Sequence, residues 1–191
     1  MLYEHVNIES IAHVLPPNVV SSTDLESKMQ GLMGRLGFPA GTIEKLTGVR
    51  ERRWFDTGVR GSHAAALAGE RAIAAAGLAP SDIQALVNGS VSREYLEPAI
   101  ATLVAGRLGL GANCMNHDVT NACLGFLNGV VCVANLIELG AIETGLVVAA
   151  ETTREGMERT LRLLDQPGTS SDEFRNNFAS LTLGSGAVAM V

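Results

Sequence analysis

The sequence predicts an α/β fold in which a mostly parallel mixed sheet is covered by helices. Apolar, strand-like runs alternate with longer helical segments, as they do in sheets that are covered on both faces. Hydrophobic residues make up 47% of the 191 residues, which is enough for a substantial core. Only 18% of the residues are charged and 4% are aromatic, so small side chains are expected where elements pack together.

Capping residues, glycines and prolines delimit the predicted elements. Helices are predicted from residues 21–24 to 36, at 42–47, at 63–76 with Ser62 as N-cap, from Pro98 to 108, at 123–139, and near 154–164 and 171–178. Strands are predicted at 6–14, 84–90, 115–120, 145–151 and 181–191, with an extended segment at 49–54. The order βαβαβαββ predicts one domain over residues 1–191, with an insertion at about 152–180.

Charge and hydropathy exclude several classes of protein. The net charge is −6 and no Lys/Arg-rich block occurs, so the sequence predicts no nucleic-acid partner. The longest apolar stretch, residues 123–139, contains Asn128, Asn135 and Glu138 and is better interpreted as a buried core helix than as a membrane span. No targeting segment is visible at the N-terminus. We therefore expect a cytoplasmic protein.

The three cysteines favour neither a disulfide framework nor a metal centre. Cys114, Cys123 and Cys132 are nine residues apart, which is not a metal-ligand spacing. Their number is odd and no secretory signal accompanies them. We expect no metal site, and Cys132 is interpreted as a small buried residue inside a helix.

Cys123 is the candidate nucleophile. It follows the predicted strand at 115–120 and the turn formed by Asn121 and Ala122, at the N-terminus of a predicted helix. Thiolates are the reactive form of cysteine, and a helix N-terminus stabilises the anion through its dipole and free N–H groups. Position alone leaves two interpretations open, a catalytic and a structural cysteine.

Three segments, in order, resemble ketoacyl-ACP synthase III and its relatives in the thiolase superfamily. DVTNACLGFLNG, at residues 118–129, resembles their active-site cysteine motif. TGVRERRW, at residues 47–54, resembles an early motif of the same enzymes, and LTLGSGAVAMV, at residues 181–191, resembles their glycine-rich strand. The resemblance implies the N-terminal half of the duplicated thiolase fold.

Two further segments resemble the OleA thiolases more closely, VSREYLEPA at residues 91–99 and DEFRNNFASLTLGSG at residues 172–186. OleA thiolases join two fatty acyl-CoA molecules without decarboxylation and give a 2-alkyl-3-ketoacid for olefin or β-lactone biosynthesis. The resemblance implies an acyltransferase that acylates Cys123, uses acyl-CoA and needs no cofactor. Two alternatives stay open: a decarboxylative enzyme like ketoacyl-ACP synthase III, and a non-catalytic partner subunit.

Glu97 gains a role from the same resemblance. A condensation without decarboxylation requires a base that removes a proton next to a thioester, and a carboxylate in an apolar channel suits that task. In OleA thiolases the glutamate of this motif is the base and enters the active site of the neighbouring subunit. The other interpretation is an acidic residue favoured by the dipole of the helix predicted to start at Pro98.

Other candidates have two interpretations of about equal weight. Arg50, Arg53 and Trp54 could hold the phosphate and adenine of CoA, or could be part of a solvated basic segment. Asn121 could orient the nucleophile turn, although asparagine is also common in turns. Glu151 ends a strand near the edge of the sheet where α/β sites lie, and could equally be a cap.

The resemblance also implies partners. In the thiolase superfamily a His and an Asn, or a second His, polarise the thioester, and they come from the second half of the duplicated fold. No matching motif occurs in this sequence. We therefore expect a C-terminal half that supplies His and Asn, and a homodimer or heterodimer that pairs the strand near residues 116–120 across its interface.

Overall fold

The computed structural model describes residues 2–191. Its strands are β1 (Ile11–Val14), β2 (Asn18–Ser21), β3 (Glu51–Trp54), β4 (Ala85–Asn88), β5 (Met115–Asp118), β6 (Gly145–Glu151) and β7 (Gly186–Met190). Its helices are α1 (Ser22–Ser27), α2 (Gln30–Leu36), α3 (Thr42–Thr47), α4 (Gly61–Ala75), α5 (Ile100–Leu108), α6 (Gly125–Glu138), α7 (Arg154–Leu164) and α8 (Ser171–Asn177). Short 3-10 turns cover Pro80–Asp82, Ala122–Leu124 and Phe178–Thr182.

The chain divides into two compact units. The first unit combines the segment that ends at Leu15 with Val59–Glu151 and Gly186–Val191, and the second combines Pro16–Gly58 with Thr152–Ser185. The predicted insertion at about 152–180 thus lies in the second unit together with an earlier part of the chain. The assignment of residues 1–191 to one domain stays a prediction.

The first unit contains a five-stranded mixed sheet with the strand order β1-β7-β6-β4-β5. β4 pairs in parallel with both β5 and β6, whereas β7 pairs antiparallel with β6 and with β1. β7 alone therefore runs against the other four strands of this sheet. The predicted α/β class and mostly parallel mixed sheet are confirmed, and β5 is an edge strand.

Helices cover both faces of this sheet. A Cβ on Gly69 of α4 would contact the Leu146 side chain, whereas a Cβ on Gly129 of α6 would contact the Val147 side chain. Because successive side chains of a strand point to opposite faces, α4 and α6 lie on opposite sides of β6. α5 packs beside α4 and against β4 and β5.

The second unit has its own core and a two-stranded antiparallel sheet of β2 and β3. Its buried cluster includes residues of α1, α2, α7 and α8, together with Trp54 of β3. The sequence predicted one helix up to residue 36, but Met29 has non-helical angles (φ −125°, ψ 29°) and separates α1 from α2. With this break Leu25, Met29 and Leu32 are all fully buried.

Several predicted boundaries are wrong for identifiable reasons. α4 begins at Gly61 with Arg60 as N-cap, so Ser62 lies inside the first turn rather than capping it. β7 begins only at Gly186, because residues 178–182 form a 3-10 turn. β2 was missed, since a four-residue strand paired to a distant segment leaves no periodic signal. α3, β6 and α7 have the predicted bounds.

Two helical glycines give a matched test of this packing. A Cβ on Gly129 would lie 2.9 Å from Val147 Cγ1 and 3.1 Å from Val87 Cγ1, whereas a Cβ on Gly106 of α5 would meet nothing within 4 Å. Alanine in a helix interior is favoured over glycine by about 0.5–1 kcal/mol. Overpacking a core costs about 1–3 kcal/mol.

We therefore expect Gly106→Ala to raise the free energy of unfolding and Gly129→Ala to lower it, as measured by urea denaturation of each variant. An equal gain in both variants would show that α6 does not approach the sheet as closely as described.

Candidate active site

Cys123 lies at the junction between β5 and α6. It occupies the middle of the 3-10 turn Ala122–Leu124, and the regular helix begins two residues later, at Gly125. The Leu124 N–H donates to the Asn121 carbonyl over 2.9 Å and closes the turn. The sequence placed Cys123 at the first residue of the helix, and the structure places it just before that helix, with an exposed side chain.

The backbone of this turn is constrained. Ala122 has a φ of +43°, the only positive φ of a non-glycine residue in residues 2–191. Such a conformation costs on the order of 1–3 kcal/mol and persists only where the surrounding structure enforces it. The sharp turn directs the residue that follows it, Cys123, outward at the end of the strand.

A close contact between two glycines lies beside this turn. A Cβ on Gly89, directly after β4, would lie 2.5 Å from the Gly125 carbonyl carbon and 2.6 Å from the Phe126 nitrogen. A Cβ on Gly125 would in turn overlap the Gly89 carbonyl oxygen. Only glycine allows the first turn of α6 to touch the end of β4 at this point. The contact fixes the position of the turn that contains Cys123 relative to the sheet.

The other two thiols differ from Cys123 in environment. Cys132 is half-buried within α6, and Cys114 is buried beside β5. Burial raises the pKa of the Cys114 thiol, because the thiolate is poorly solvated there. Among the three cysteines, Cys123 is the most exposed to solvent.

An apolar surface extends from Cys123 along α6. Leu124 and Leu127 are 53% and 57% exposed, and Val131 one turn further is 39% exposed. These side chains repeat at helical spacing on the side of α6 that faces away from the sheet. We call Leu124, Leu127 and Val131 the outer face of α6.

Asn121 stabilises the turn rather than pointing freely to solvent. Its Nδ2 donates to the Asn128 Oδ1 over 2.6 Å, which links the turn to the first turn of α6. This hydrogen bond supports the interpretation of Asn121 as a residue that stabilises the turn. A substrate contact by Asn121 stays a prediction.

Glu97 lies in the segment of residues 91–99 before α5, which we call the Glu97 loop. Its side chain is exposed and makes no hydrogen bond or ion pair within residues 2–191. α5 begins at Ile100, three residues later, so Glu97 is not in the first helical turn. The interpretation of Glu97 as an acid held by the helix dipole is therefore not supported.

Asp118 has the capping role instead. Its carboxylate, at the end of β5, accepts the Ile100 N–H over 2.9 Å and the Ala101 N–H over 2.8 Å. It also accepts the Asn88 Nδ2–H over 3.1 Å. Sequence reasoning missed this residue, although a carboxylate at the end of a strand and beside the nucleophile turn was the available signal.

Three contacts hold the Glu97 loop within the first unit. The Glu151 carboxylate accepts the Val91 N–H over 2.6 Å and the Ser92 N–H over 2.9 Å, and also the Ser92 hydroxyl. Glu94 accepts the Ser62 N–H at the start of α4 over 2.5 Å.

The third contact is the hydrogen bond from the Arg93 guanidinium to the Thr120 hydroxyl, three residues before Cys123. Arg93, Glu94 and Thr120 were not predicted from the sequence.

The predicted CoA-binding residues lie in the second unit, and one of them is wrongly assigned. Trp54 is 2% exposed within the core, so no ring face is open for an adenine to stack on. Arg53 is half-buried and donates to the Pro16 carbonyl over 3.1 Å. Arg50 is exposed, and a phosphate contact by Arg50 or Arg53 stays a prediction.

Two kinds of structure are absent from residues 2–191, a membrane-spanning helix and a metal-binding cluster. No helix there combines the length and apolar character that crossing a membrane requires. No cluster of three or more His, Cys, Asp or Glu side chains in this range is arranged to hold a metal ion.

Comparison with known proteins places this site in a family. Residues 57–169, more than half of the chain, match the family model described as "Thiolase, N-terminal domain". The acyl-CoA:acyl-CoA alkyltransferases of Xanthomonas campestris and Shewanella oneidensis are each 40% identical to the chain and cover all of it. A beta-ketoacyl-[acyl-carrier-protein] synthase III of Koribacter versatilis is 31% identical over 81% of the chain.

Solved structures agree with these matches. The crystal structure of Xanthomonas campestris OleA with bound cerulenin superposes on the whole chain with a TM-score of 0.96 at 40% identity, and the chain covers 57% of it. A structure of the same OleA with bound lauric acid and lauroyl-CoA gives a TM-score of 0.96 at 39% identity, over 99% of this chain and 56% of that one.

The chain spans about half the length of the curated relatives it matches, namely 56% and 54% of the two alkyltransferases. The resemblance to thiolases, ketoacyl-ACP synthases III and OleA that the sequence motifs indicated is confirmed. The chain belongs to the thiolase family.

Proposed function

We propose that this chain is the N-terminal half of an acyl-transferring condensing enzyme of the OleA type. Cys123 accepts a long-chain acyl group from one acyl-CoA, which is then condensed with a second acyl-CoA without decarboxylation. The product is a 2-alkyl-3-ketoacid for olefin or β-lactone biosynthesis. The supporting relatives are named acyl-CoA:acyl-CoA alkyltransferases and are 40% identical over the full length of the chain.

The observation that carries the proposal is the exposed thiol of Cys123 on a turn that Gly89 and Gly125 hold against the sheet. A nucleophile must be reachable by its substrate and held in one orientation to react efficiently. The positive φ of Ala122 and the close glycine contact supply the orientation, and the exposure supplies the access.

The proposed reaction has three steps. The Cys123 thiolate attacks the carbonyl carbon of the first acyl-CoA, and CoA leaves as its thiol after taking up a proton. Glu97 removes a proton from the α-carbon of the second acyl-CoA, and the resulting carbanion attacks the acyl-cysteine, which releases the Cys123 thiolate. Water then hydrolyses the remaining thioester to the ketoacid and CoA. These steps require no metal or cofactor.

Glu97 is proposed to act in the facing subunit of a dimer. Its carboxylate has no partner within residues 2–191, and the adjacent Tyr95 and Leu96 are 50% and 84% exposed. Exposed apolar side chains beside an acid are suited to insertion into a lipid-lined site. β5, as an edge strand, is available to pair across the dimer.

The outer face of α6 supports the proposal of a C-terminal half. This half would supply the His and Asn that polarise the thioester, and it would cover Leu124 and Leu127.

The proposal also includes phosphate contacts of CoA with Arg50 and Arg53. It includes a location of the enzyme in the cytoplasm.

A second candidate is a decarboxylative enzyme like ketoacyl-ACP synthase III, favoured by relatives such as the 31% identical enzyme of Koribacter versatilis. Such an enzyme generates its carbanion by loss of CO2 and needs no base. Turnover of acyl-CoA in the absence of any malonyl thioester distinguishes the two, because only the non-decarboxylative enzyme is active then. A non-catalytic partner subunit would carry no acyl group on Cys123 at all.

Acylation of Cys123 is the first test. In the enzyme completed by its C-terminal half, a long-chain acyl-CoA is expected to add one acyl group to the chain, as seen by intact mass. Cys123→Ala is expected to abolish this addition, because the other thiols do not stand on the nucleophile turn. An acyl group that persists in Cys123→Ala would contradict the assignment.

Cys132→Ala is the matched control, since it removes a half-buried thiol of the same helix and should leave acylation unchanged.

The Cys114 thiol, whose pKa is raised by burial, holds less thiolate at pH 7–8 than an ordinary cysteine. It is therefore expected to react last with iodoacetamide, and faster only as the pH is raised.

The role of Glu97 is tested by α-proton exchange. In deuterated buffer the enzyme is expected to exchange the α-protons of the second acyl-CoA, and Glu97→Ala is expected to lose this exchange while Cys123 still becomes acylated. A single general base contributes about 10²–10⁴-fold to such a step. Exchange at the parental rate in Glu97→Ala would count against the proposal.

A further inference from the structure

We propose that Glu151 is the positioning residue of the Glu97 loop, acting through the backbone of that loop on the carboxylate proposed as the base. This inference rests on the proposed function of Glu97 and adds a residue to which that function gives no role. It is carried by the hydrogen bonds that Glu151 receives from Val91 and Ser92.

The Glu97 loop needs an external anchor. It contains neither helix nor strand, since β4 ends at Asn88 and α5 begins at Ile100. Within residues 2–191 no backbone–backbone hydrogen bond holds residues 91–97. Glu97 itself contacts no hydrogen-bonding partner, so its position depends on how the rest of the loop is fastened.

Glu151 provides that anchor from the rigid part of the sheet. It is the last residue of β6, which pairs with both β4 and β7 and lies in the interior of the five-stranded sheet. Its two carboxylate oxygens bind two consecutive backbone N–H groups, at 2.6 Å to Val91 and 2.9 Å to Ser92. Two adjacent amides bound by one carboxylate fix the direction in which the loop leaves the sheet.

The other two contacts of the loop are of a different kind. Arg93 reaches Thr120 through two side chains, and Glu94 reaches the Ser62 N–H with its own side chain. Neither of them holds the loop's backbone directly. Gly89 and Ser90, just before the loop, are bonded to β6 through the Gly89 N–H to the Val148 carbonyl and the Ala150 N–H to the Ser90 hydroxyl. Among the three contacts of the loop itself, Glu151 alone extends this attachment along the backbone to Val91 and Ser92, and so sets the path of the chain toward Glu97.

Glu138 offers a matched control. At the end of α6 its carboxylate also accepts two consecutive backbone N–H groups, from Glu4 over 3.1 Å and His5 over 3.0 Å. Glu138 does not contact the Glu97 loop. Glu138→Gln and Glu151→Gln therefore remove the same type of interaction, but only the second one touches the proposed base.

The experiment compares acylation and condensation in the completed enzyme. Glu151→Gln is expected to acylate Cys123 at the parental rate and with the parental KM for the first acyl-CoA. Its kcat for condensation is expected to fall by about 10- to 100-fold, the loss that a displacement of about 1 Å can cause. Glu138→Gln is expected to change neither rate.

A structural readout accompanies the rates. Hydrogen exchange at the Val91 and Ser92 amides is expected to accelerate in Glu151→Gln and not in Glu138→Gln, because glutamine keeps one acceptor oxygen where the carboxylate held one for each N–H. Ser92→Ala removes only the hydroxyl contact and is expected to reduce condensation less, which keeps the test open if Glu151→Gln does not fold.

The outcomes separate this inference from the proposed function. If Glu97→Ala loses condensation but Glu151→Gln and Ser92→Ala condense at the parental rate, the positioning role is overturned and the proposed function stands. If acylation and condensation fall equally in Glu151→Gln, Glu151 is a general structural cap and the inference is again overturned. If Glu97→Ala condenses normally, the proposed base is wrong.

Discussion

The contact between Gly89 and Gly125 is the constraint on which the candidate site depends. It joins the end of β4 to the first turn of α6 at a distance that no side chain allows, since a Cβ on either residue would overlap the other's backbone. The turn before α6 contains Ala122 with its positive φ. Cys123 follows directly and is exposed. Backbone packing, rather than a side-chain network, positions this thiol.

Carboxylates at the ends of two strands organise what surrounds the thiol. Asp118 ends β5 and caps α5, and Glu151 ends β6 and holds the Glu97 loop. Each carboxylate accepts two consecutive backbone N–H groups, Asp118 from the start of α5 and Glu151 from the Glu97 loop. Functional groups at the carboxyl ends of strands are typical of α/β folds. In this chain the turn of Cys123 follows the end of β5, and Glu151, which holds the Glu97 loop, is the last residue of β6.

Local patterns predicted much of the fold but few of the contacts that shape the site. α3 and α7 have the predicted bounds, and α3 lies between Gly41 and Gly48, which both have left-handed backbone angles. A cap was one interpretation of Glu151, but the partners of Asp118 and Glu151 could not be predicted, since they lie 17–18 and 59–60 residues away. The assignment of Trp54 to adenine stacking was wrong, because the four charged residues before it, 50–53, indicated an exposed segment, whereas the ring is buried in the core cluster of the second unit.

The central claim is that the approach of α6 to β4 makes Cys123 a competent acyl acceptor. The most direct measurement is the rate of Cys123 acylation by a long-chain acyl-CoA in Gly89→Ala and Gly106→Ala of the completed enzyme, normalised to folded protein. A Cβ on Gly89 would displace the turn, whereas one on Gly106 meets open space. We expect a loss of about 100-fold in Gly89→Ala and an unchanged rate in Gly106→Ala. Acylation at the parental rate in Gly89→Ala would contradict it.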